Sequence, residues 1–295
     1  MERAAWLEER RKGVGGSDIA PIMGISPWKT AYQVYLEKIG EVRDYQESEV
    51  MDWGKRMEPA LRQWYSDKTG RSVRLPDKIL YHKEYPFMLA SLDGYTDDQR
   101  VVELKTSRYG KDWSEEIPDY YQVQVQHYLF VTGFPVADTV VSIGGGSPEL
   151  YEIPEDKELQ QMILEAATEF WQRVQDRNPP PITTYADAVR RYGKSMAQGL
   201  VFASDAEITL VNDLRAVRED TKVLEAKEEA IKAILIKVLG DQADTLVNPD
   251  GTPLITYKMA KGRISLDAKA LEREHPDIYK KHLKASEPVR RFLIK

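Results

Sequence analysis

MLASLDGYTDDQRVVELKT, residues 88–106, consists of two apolar-rich runs joined by a polar turn, the pattern of a β-hairpin. With Asp97, Asp98 and Gln99 as the loop, Thr96 pairs with Arg100, Tyr95 with Val101, Gly94 with Val102 and Asp93 with Glu103. Opposed residues of an antiparallel pair project from the same face, and Lys105, two residues past Glu103, joins them there. Val102 and Leu104 point to the other side and anchor the strand. Two carboxylates and one ammonium on a strand pair fit a divalent-metal site with a catalytic lysine. They fit equally a solvated strand face with a cross-strand ion pair, and Glu-x-Lys recurs at Glu225-Ala226-Lys227 in what reads as a plain helix. A short motif cannot choose between the two.

The chain has 295 residues, enough for two domains or one core with an appendage, and its 42% hydrophobic and 31% charged residues suit an ordinary globular protein. It has no cysteine, which excludes disulfides, thiol nucleophiles and zinc knuckles, and its four histidines lack ligand spacing. A bound metal would therefore be a hard cation held by oxygen, Mg²⁺ or Mn²⁺. No apolar run reaches membrane-spanning length and the start, MERAAWLEERRK, is too charged for a signal peptide, so the expectation is a cytoplasmic protein with no membrane partner. The net charge of −6 hides an asymmetry: Lys258 to Lys295 carries 11 basic and 5 acidic residues on an otherwise acidic chain. That tail suits phosphate binding or docking onto acidic surface, and charge alone favours neither.

Residues 2–12 read as a helix. The glycines of GVGGSD lead to Ser17-Asp18 as the cap of a short helix, beside Arg10 and Arg11. Free N–H groups and a hydroxyl there would clamp a phosphate, or the segment is simply a capped turn. Ser26-Pro27 opens a helix to Gly40, and residues 48–69 form another with Val50, Trp53, Met57, Leu61 and Trp64 at helical spacing. Glu58 stands at the margin of that stripe, with Gly54 one turn earlier leaving room beside its carboxylate. Pro118-Asp119 opens a helix on which Gln124 and Tyr128 share a face. Strands at 136–143 and 149–153 and a helix at 155–177 packing Met162, Ile163 and Phe170 complete the region, and NPPPIT closes it. The domains are thus 1–182 and 183–295. The second holds a capped helix 204–239 with an apolar seam, a hairpin, a helix from Ser265 to Lys284 and the strand-like EPVRRFLIK.

ERRKGVGGSD, WGKRME, SLDG, ELK, QVQHY and LFVTG, in that order, resemble the motifs of the lambda-exonuclease branch of the PD-(D/E)xK nucleases, specifically the YqaJ-like viral recombinases. The likeness spans roughly residues 6–153, and the family's usual Pro-Asp is Leu92-Asp93 here. It implies an α/β restriction-endonuclease-like core, a mixed sheet flanked by helices, with a helical and basic C-terminal extension. It implies that Asp93, Glu103 and the carbonyl of Leu104 hold Mg²⁺, with Glu58 adding a carboxylate and Mn²⁺ able to substitute. Lys105 would orient and help deprotonate the attacking water, and Gln124, with Tyr128, would steady the lysine or the nucleotide. Arg10 and Ser17 match a terminal-phosphate pocket that Ser91 joins, and the spacing lets Arg11 replace Arg10.

The implied activity is Mg²⁺-dependent DNA hydrolysis, 5′→3′ from duplex ends, in phage-type recombination. Partners implied with it are DNA ends, a single-strand annealing protein and further copies of the chain in a ring. The alternatives are an endonuclease of the same fold and, from another class, a catalytically inactive DNA-binding scaffold.

Overall fold

The structure, a computed structural model, describes residues 3–41, 49–111, 113, 116–196, 198–262, 264–284 and 288–294. Glu2, Ser48, Glu287 and Lys295, which belong to expected elements, lie outside the described residues. The chain divides into two units, Met1–Arg190 and Arg191–Lys295.

The first unit opens with α1 (Arg3–Arg10), β1 (Val14–Gly15), α2 (Gly16–Ile22) and α3 (Ala31–Lys38). Two of these helices start where the sequence did not point. Ser17-Asp18 is not the N-cap of α2: Gly15 is, and Asp18, at the third helical position, completes the cap from inside the helix, its Oδ2 accepting the Gly15 N–H at 2.9 Å. Ser26-Pro27 does not start α3. Thr30 does, accepting the Gln33 N–H at 3.2 Å while the Gln33 side chain reaches back to the Thr30 N–H. That reciprocal box satisfies two otherwise free donors, which a Ser-Pro start cannot.

α4 (Glu49–Thr69) buries Leu61 and Tyr65 but leaves Val50 and Trp53 exposed, so only its C-terminal half is core. The short strands β2 (Val73–Arg74), β3 (Leu80–Tyr81) and β4 (Met88–Ala90) lead to β5 (Gly94–Thr96) and β6 (Arg100–Ser107). The hairpin has the register its loop dictates, Gly94 with Val102 and Tyr95 with Val101. Gln99 takes φ 62°, the left-handed conformation that ends a three-residue loop. The unit is completed by α5 (Asp119–Thr132), β7 (Val136–Ile143), β8 (Glu149–Pro154), α6 (Lys157–Gln175) and all but the last two residues of α7 (Tyr185–Tyr192).

The main sheet has the order β2-β5-β6-β7-β8, parallel only between β6 and β7, and a smaller sheet has the order β1-β4-β3. On one face Leu61 and Tyr65 of α4 pack on Val102, Leu104 and Val140. On the other, α5 is buried on nearly every side and takes polar groups inside with it. Gln126 is satisfied there, donating to the Pro154 carbonyl at 2.7 Å and accepting from the Asp156 N–H at 2.9 Å. In α6 Ile163, Ala167, Phe170 and Val174 are buried, whereas Met162, expected in that stripe, is exposed.

The second unit contains α8 (Asp205–Leu239), capped by the Ser204–Glu207 box, an antiparallel pair β9 (Thr245–Val247) and β10 (Pro253–Thr256), and α9 (Ala268–Glu274) and α10 (Pro276–His282). The helix expected from Ser265 to Lys284 is two short ones, because Pro276 cannot continue the first and instead begins the second. Residues 288–294 form no strand. Among the described residues no helix is long and apolar enough to cross a membrane.

Candidate active site

The alternation of β6 sends Val102 and Leu104 under α4 and Glu103 and Lys105 toward α5. Asp93, just before β5, is fixed by its Oδ2, which accepts the Leu104 N–H at 2.9 Å. The Lys105 ammonium lies 2.5 Å from Glu103 Oε1 and 3.3 Å from Gln124 Oε1, and 4.7 Å from the centre of the Tyr121 ring. Gln124 uses both amide hydrogens, one on Glu103 Oε1 at 2.9 Å and one on the Tyr128 hydroxyl at 3.0 Å. The structure thus joins Asp93, Glu103, Lys105, Gln124 and Tyr128. Tyr128 is itself located by Gly16: a Cβ there would stand 2.4 Å from the tyrosine Cε1, so only glycine lets α2 approach α5 this closely.

Glu103 is 2% exposed, and its Oε2 has no hydrogen-bond partner among the described residues. Burial and then the neighbouring Asp93 charge push its carboxyl up to about 8, against the pull of Lys105. Burial raises Asp93 as well, while Lys105 and the Leu104 N–H oppose it. Lys105 is raised too, because the two carboxylates outweigh its burial, so it is held as an ammonium. A buried acidic pair with an unused carboxylate oxygen is a set of hard oxygen donors short of positive charge, which is the chemistry a divalent cation of the Mg²⁺ class fits.

Glu58 is brought near without being joined. Burial and the Asp93 charge raise its carboxyl, and Arg62, one turn on in α4, counters them from 3.5 Å. Among the described residues no three His, Asp or Glu side chains already form a metal-binding cluster. The space beside Gly54 faces Thr106, whose Oγ1 would be 3.5 Å from an added Cβ.

A second cluster adjoins on α1 and α2. Arg10 donates to Ser17 Oγ at 2.7 Å and to Asp18 Oδ1 at 3.1 Å, and its guanidinium sits 5.0 Å from the centre of the Trp6 ring. Trp6 donates to Ser91 Oγ at 3.4 Å, which links Ser91 to the same group. Arg11 is turned away to Glu8, at 2.5 Å, so of the two arginines only Arg10 meets Ser17. Burial works to raise the Asp18 carboxyl, but Lys38 at 2.6 Å and Arg10 prevail and hold it well below the usual range. Sequence reading missed Lys38 and Trp6; the spacing of Trp6 and Arg10, one helical turn, was the available signal for the latter.

The family description "YqaJ-like viral recombinase domain" matches residues 5–135. Over 308 aligned positions the chain is 33% identical to the "Uncharacterized protein YqaJ" of Bacillus subtilis (strain 168), covering 100% of this chain and 95% of that protein. Protein D345L of African swine fever virus (strain Badajoz 1971 Vero-adapted) is 25% identical over 155 residues, 42% of this chain and 44% of the viral protein. Among solved structures, the alkaline exonuclease LHK-Exo from Laribacter hongkongensis is similar with a TM-score of 0.50 at 19% identity, over 59% of this chain and 94% of that one. Its complex with dAMP gives a TM-score of 0.51 at the same identity and coverage. The mixed sheet between α4 and α5 is accordingly a PD-(D/E)xK-like core.

Proposed function

The chain belongs to the YqaJ-like viral recombinase family, and from that premise we propose that it is a metal-dependent deoxyribonuclease, a 5′→3′ exonuclease of duplex ends serving phage-type recombination. The observation that carries the reading is the closed set Asp93–Glu103–Lys105–Gln124, with a buried Glu103 oxygen left unpaired. The fold shared with the alkaline exonuclease of Laribacter hongkongensis supports it.

Asp93, Glu103 and the Leu104 carbonyl would hold Mg²⁺ or Mn²⁺, with Glu58 as the further carboxylate. These residues would thereby supply a bound cation's chemistry, a lowered pKa of water and neutralisation of charge developing on the phosphate. Lys105, kept protonated by the carboxylates, serves to orient the water and to add positive charge opposite the phosphorane, rather than to act as a free base. Gln124 holds Glu103 and Lys105 in one geometry. Arg10 and Ser17, with Ser91 behind Trp6, receive the terminal phosphate, where a guanidinium fork matches its oxygens. Residues 1–182 would be the nuclease and 183–295 an accessory extension. A single-strand annealing protein would take up the strand that digestion exposes, and a ring of further copies would retain the enzyme on its duplex.

The test is digestion of linear duplexes, 5′-phosphorylated or not, beside a covalently closed circle, with Mg²⁺ or with EDTA. Rapid loss of the phosphorylated linear DNA from its 5′ ends, absent with EDTA, is expected. Cutting of the closed circle would replace the exonuclease by an endonuclease of the same fold. Binding without any hydrolysis would leave an inactive scaffold.

A further inference from the structure

The long helix α8 carries an apolar seam with nothing to do in the chemistry above. Leu210, Val217, Leu224, Ile231 and Val238 recur every seven residues, and all five are exposed, from 49% at Ile231 to 66% at Leu210. Four residues on in each repeat stand Leu214, Thr221, Glu228 and Leu235, the two leucines half-buried. A seven-residue apolar repeat over 35 residues, about 52 Å of helix, is the pattern of a two-stranded coiled coil.

The flanking charges choose the orientation. Were two copies parallel, each residue just before the seam would face the residue five further along on its neighbour. Asp213 would then meet Arg218, but Asp220 would meet Glu225 and Lys227 would meet Lys232, two repulsions against one attraction. In an antiparallel pair centred between Thr221 and Leu224, equivalent flanks face each other. Arg218 then meets Glu225 and Asp220 meets Lys227 of the second copy, each pair occurring twice by symmetry, and all four contacts attract. The same register stacks Leu214 on Ile231, Thr221 on Leu224 and Leu235 on Leu210, and it overlaps the two helices from end to end. Glu228, the charged residue of the seam, would face Val217, and its carboxylate is already turned to Lys232 at 2.8 Å.

We propose that α8 is a homotypic docking surface that pairs antiparallel with the same helix of a second copy of this chain. The pairing does not rest on the nuclease reading.

The absence of cysteine makes the orientation directly readable. Full-length Leu210→Cys and Leu235→Cys proteins, one of them lengthened by a tag, are oxidised alone and mixed, then run on a non-reducing gel. The antiparallel pair gives a crosslinked dimer only in the mixture. Crosslinking of Leu210→Cys with itself, or no crosslinking anywhere, overturns the proposal. Separately, Glu225→Lys or Lys227→Glu should weaken self-association of the full chain by roughly tenfold in sedimentation, and Arg218→Glu added to Glu225→Lys should restore it. A parallel pair demands the opposite sign, since each single change would turn a repulsion into an attraction. Tighter association of either single variant therefore also sinks the antiparallel pairing.

Discussion

The Gln124 amide nitrogen lies 2.9 Å from Glu103 Oε1, which ties helix α5 to the central strand at the acidic pair. Gln124→Leu frees Glu103 and Lys105 to change rotamer without altering the charge of the site. Turnover of duplex DNA should fall by roughly 10- to 100-fold with little change in DNA affinity. A rise in KM at unchanged kcat would mean that Gln124 only binds substrate.

Lys105→Ala should lower hydrolysis by about 10²-fold or more, because it removes the only ammonium bonded to Glu103 among the described residues. DNA binding by filter retention should survive. Activity equal to the parent chain would remove Lys105 from the mechanism.

Arg10 and Arg11 are adjacent, but only Arg10 reaches Ser17. Arg10→Lys keeps a charge near Asp18 and loses the fork. It should erase most of the preference for 5′-phosphorylated ends, an effect on the order of 10-fold or more for one charge-assisted hydrogen bond. Arg11→Ala should leave that preference intact. Competition between labelled phosphorylated and hydroxyl-ended duplexes measures both, and a larger loss in Arg11→Ala would reverse the assignment.

His127 is fully buried with Nε2 at 2.7 Å from the Leu89 carbonyl oxygen, and burial lowers it from 6.5 to about 4. Between those values the unfolded chain binds a proton that the folded chain refuses. Stability from this group is therefore complete above pH 6.5, falls as the pH drops to about 4, and is level below, with a total of about 3 kcal/mol at most. His127→Asn should flatten that part of the urea-midpoint profile. An unchanged slope between pH 6.5 and 4 would show that the ring stays accessible to protons.

Gly16→Ala places a methyl 2.4 Å from Tyr128 Cε1. It should cost about 1–3 kcal/mol of stability by overpacking and displace the hydroxyl that accepts from Gln124. Thermal melting together with turnover checks this, and a neutral result would mean that α2 can retreat.

Much of the site was legible because it lies on one hairpin, where loop length and strand period fix which side chains share a face. Asp97-Asp98-Gln99 set the register, and register put Asp93, Glu103 and Lys105 together. The parallel pairing of β6 with β7, made across an intervening helix, left no such local mark. Nor did the buried bond between Asp18 and Lys38, whose partners are twenty positions apart, Asp18 being read as part of a cap and Lys38 not being singled out. The helix starts were misplaced where one capping residue was weighed without its partner: Thr30 with Gln33 and Gly15 with Asp18 each act as a pair. α5 obscured its own burial, because a helix enclosed on nearly every side has no polar stripe to contrast with an apolar one.

β6 has neighbours on both edges, antiparallel β5 and parallel β7. A strand clamped in this way cannot slide to accommodate a substrate. Deleting a single residue between Arg100 and Glu103 would send the acidic side chain under α4 and Leu104 into the place of Glu103 beside α5, while the turn at Gly144–Gly146 could be lengthened without that exchange. Natural variation in insertions should therefore gather at the rim of this sheet and stop short of its middle.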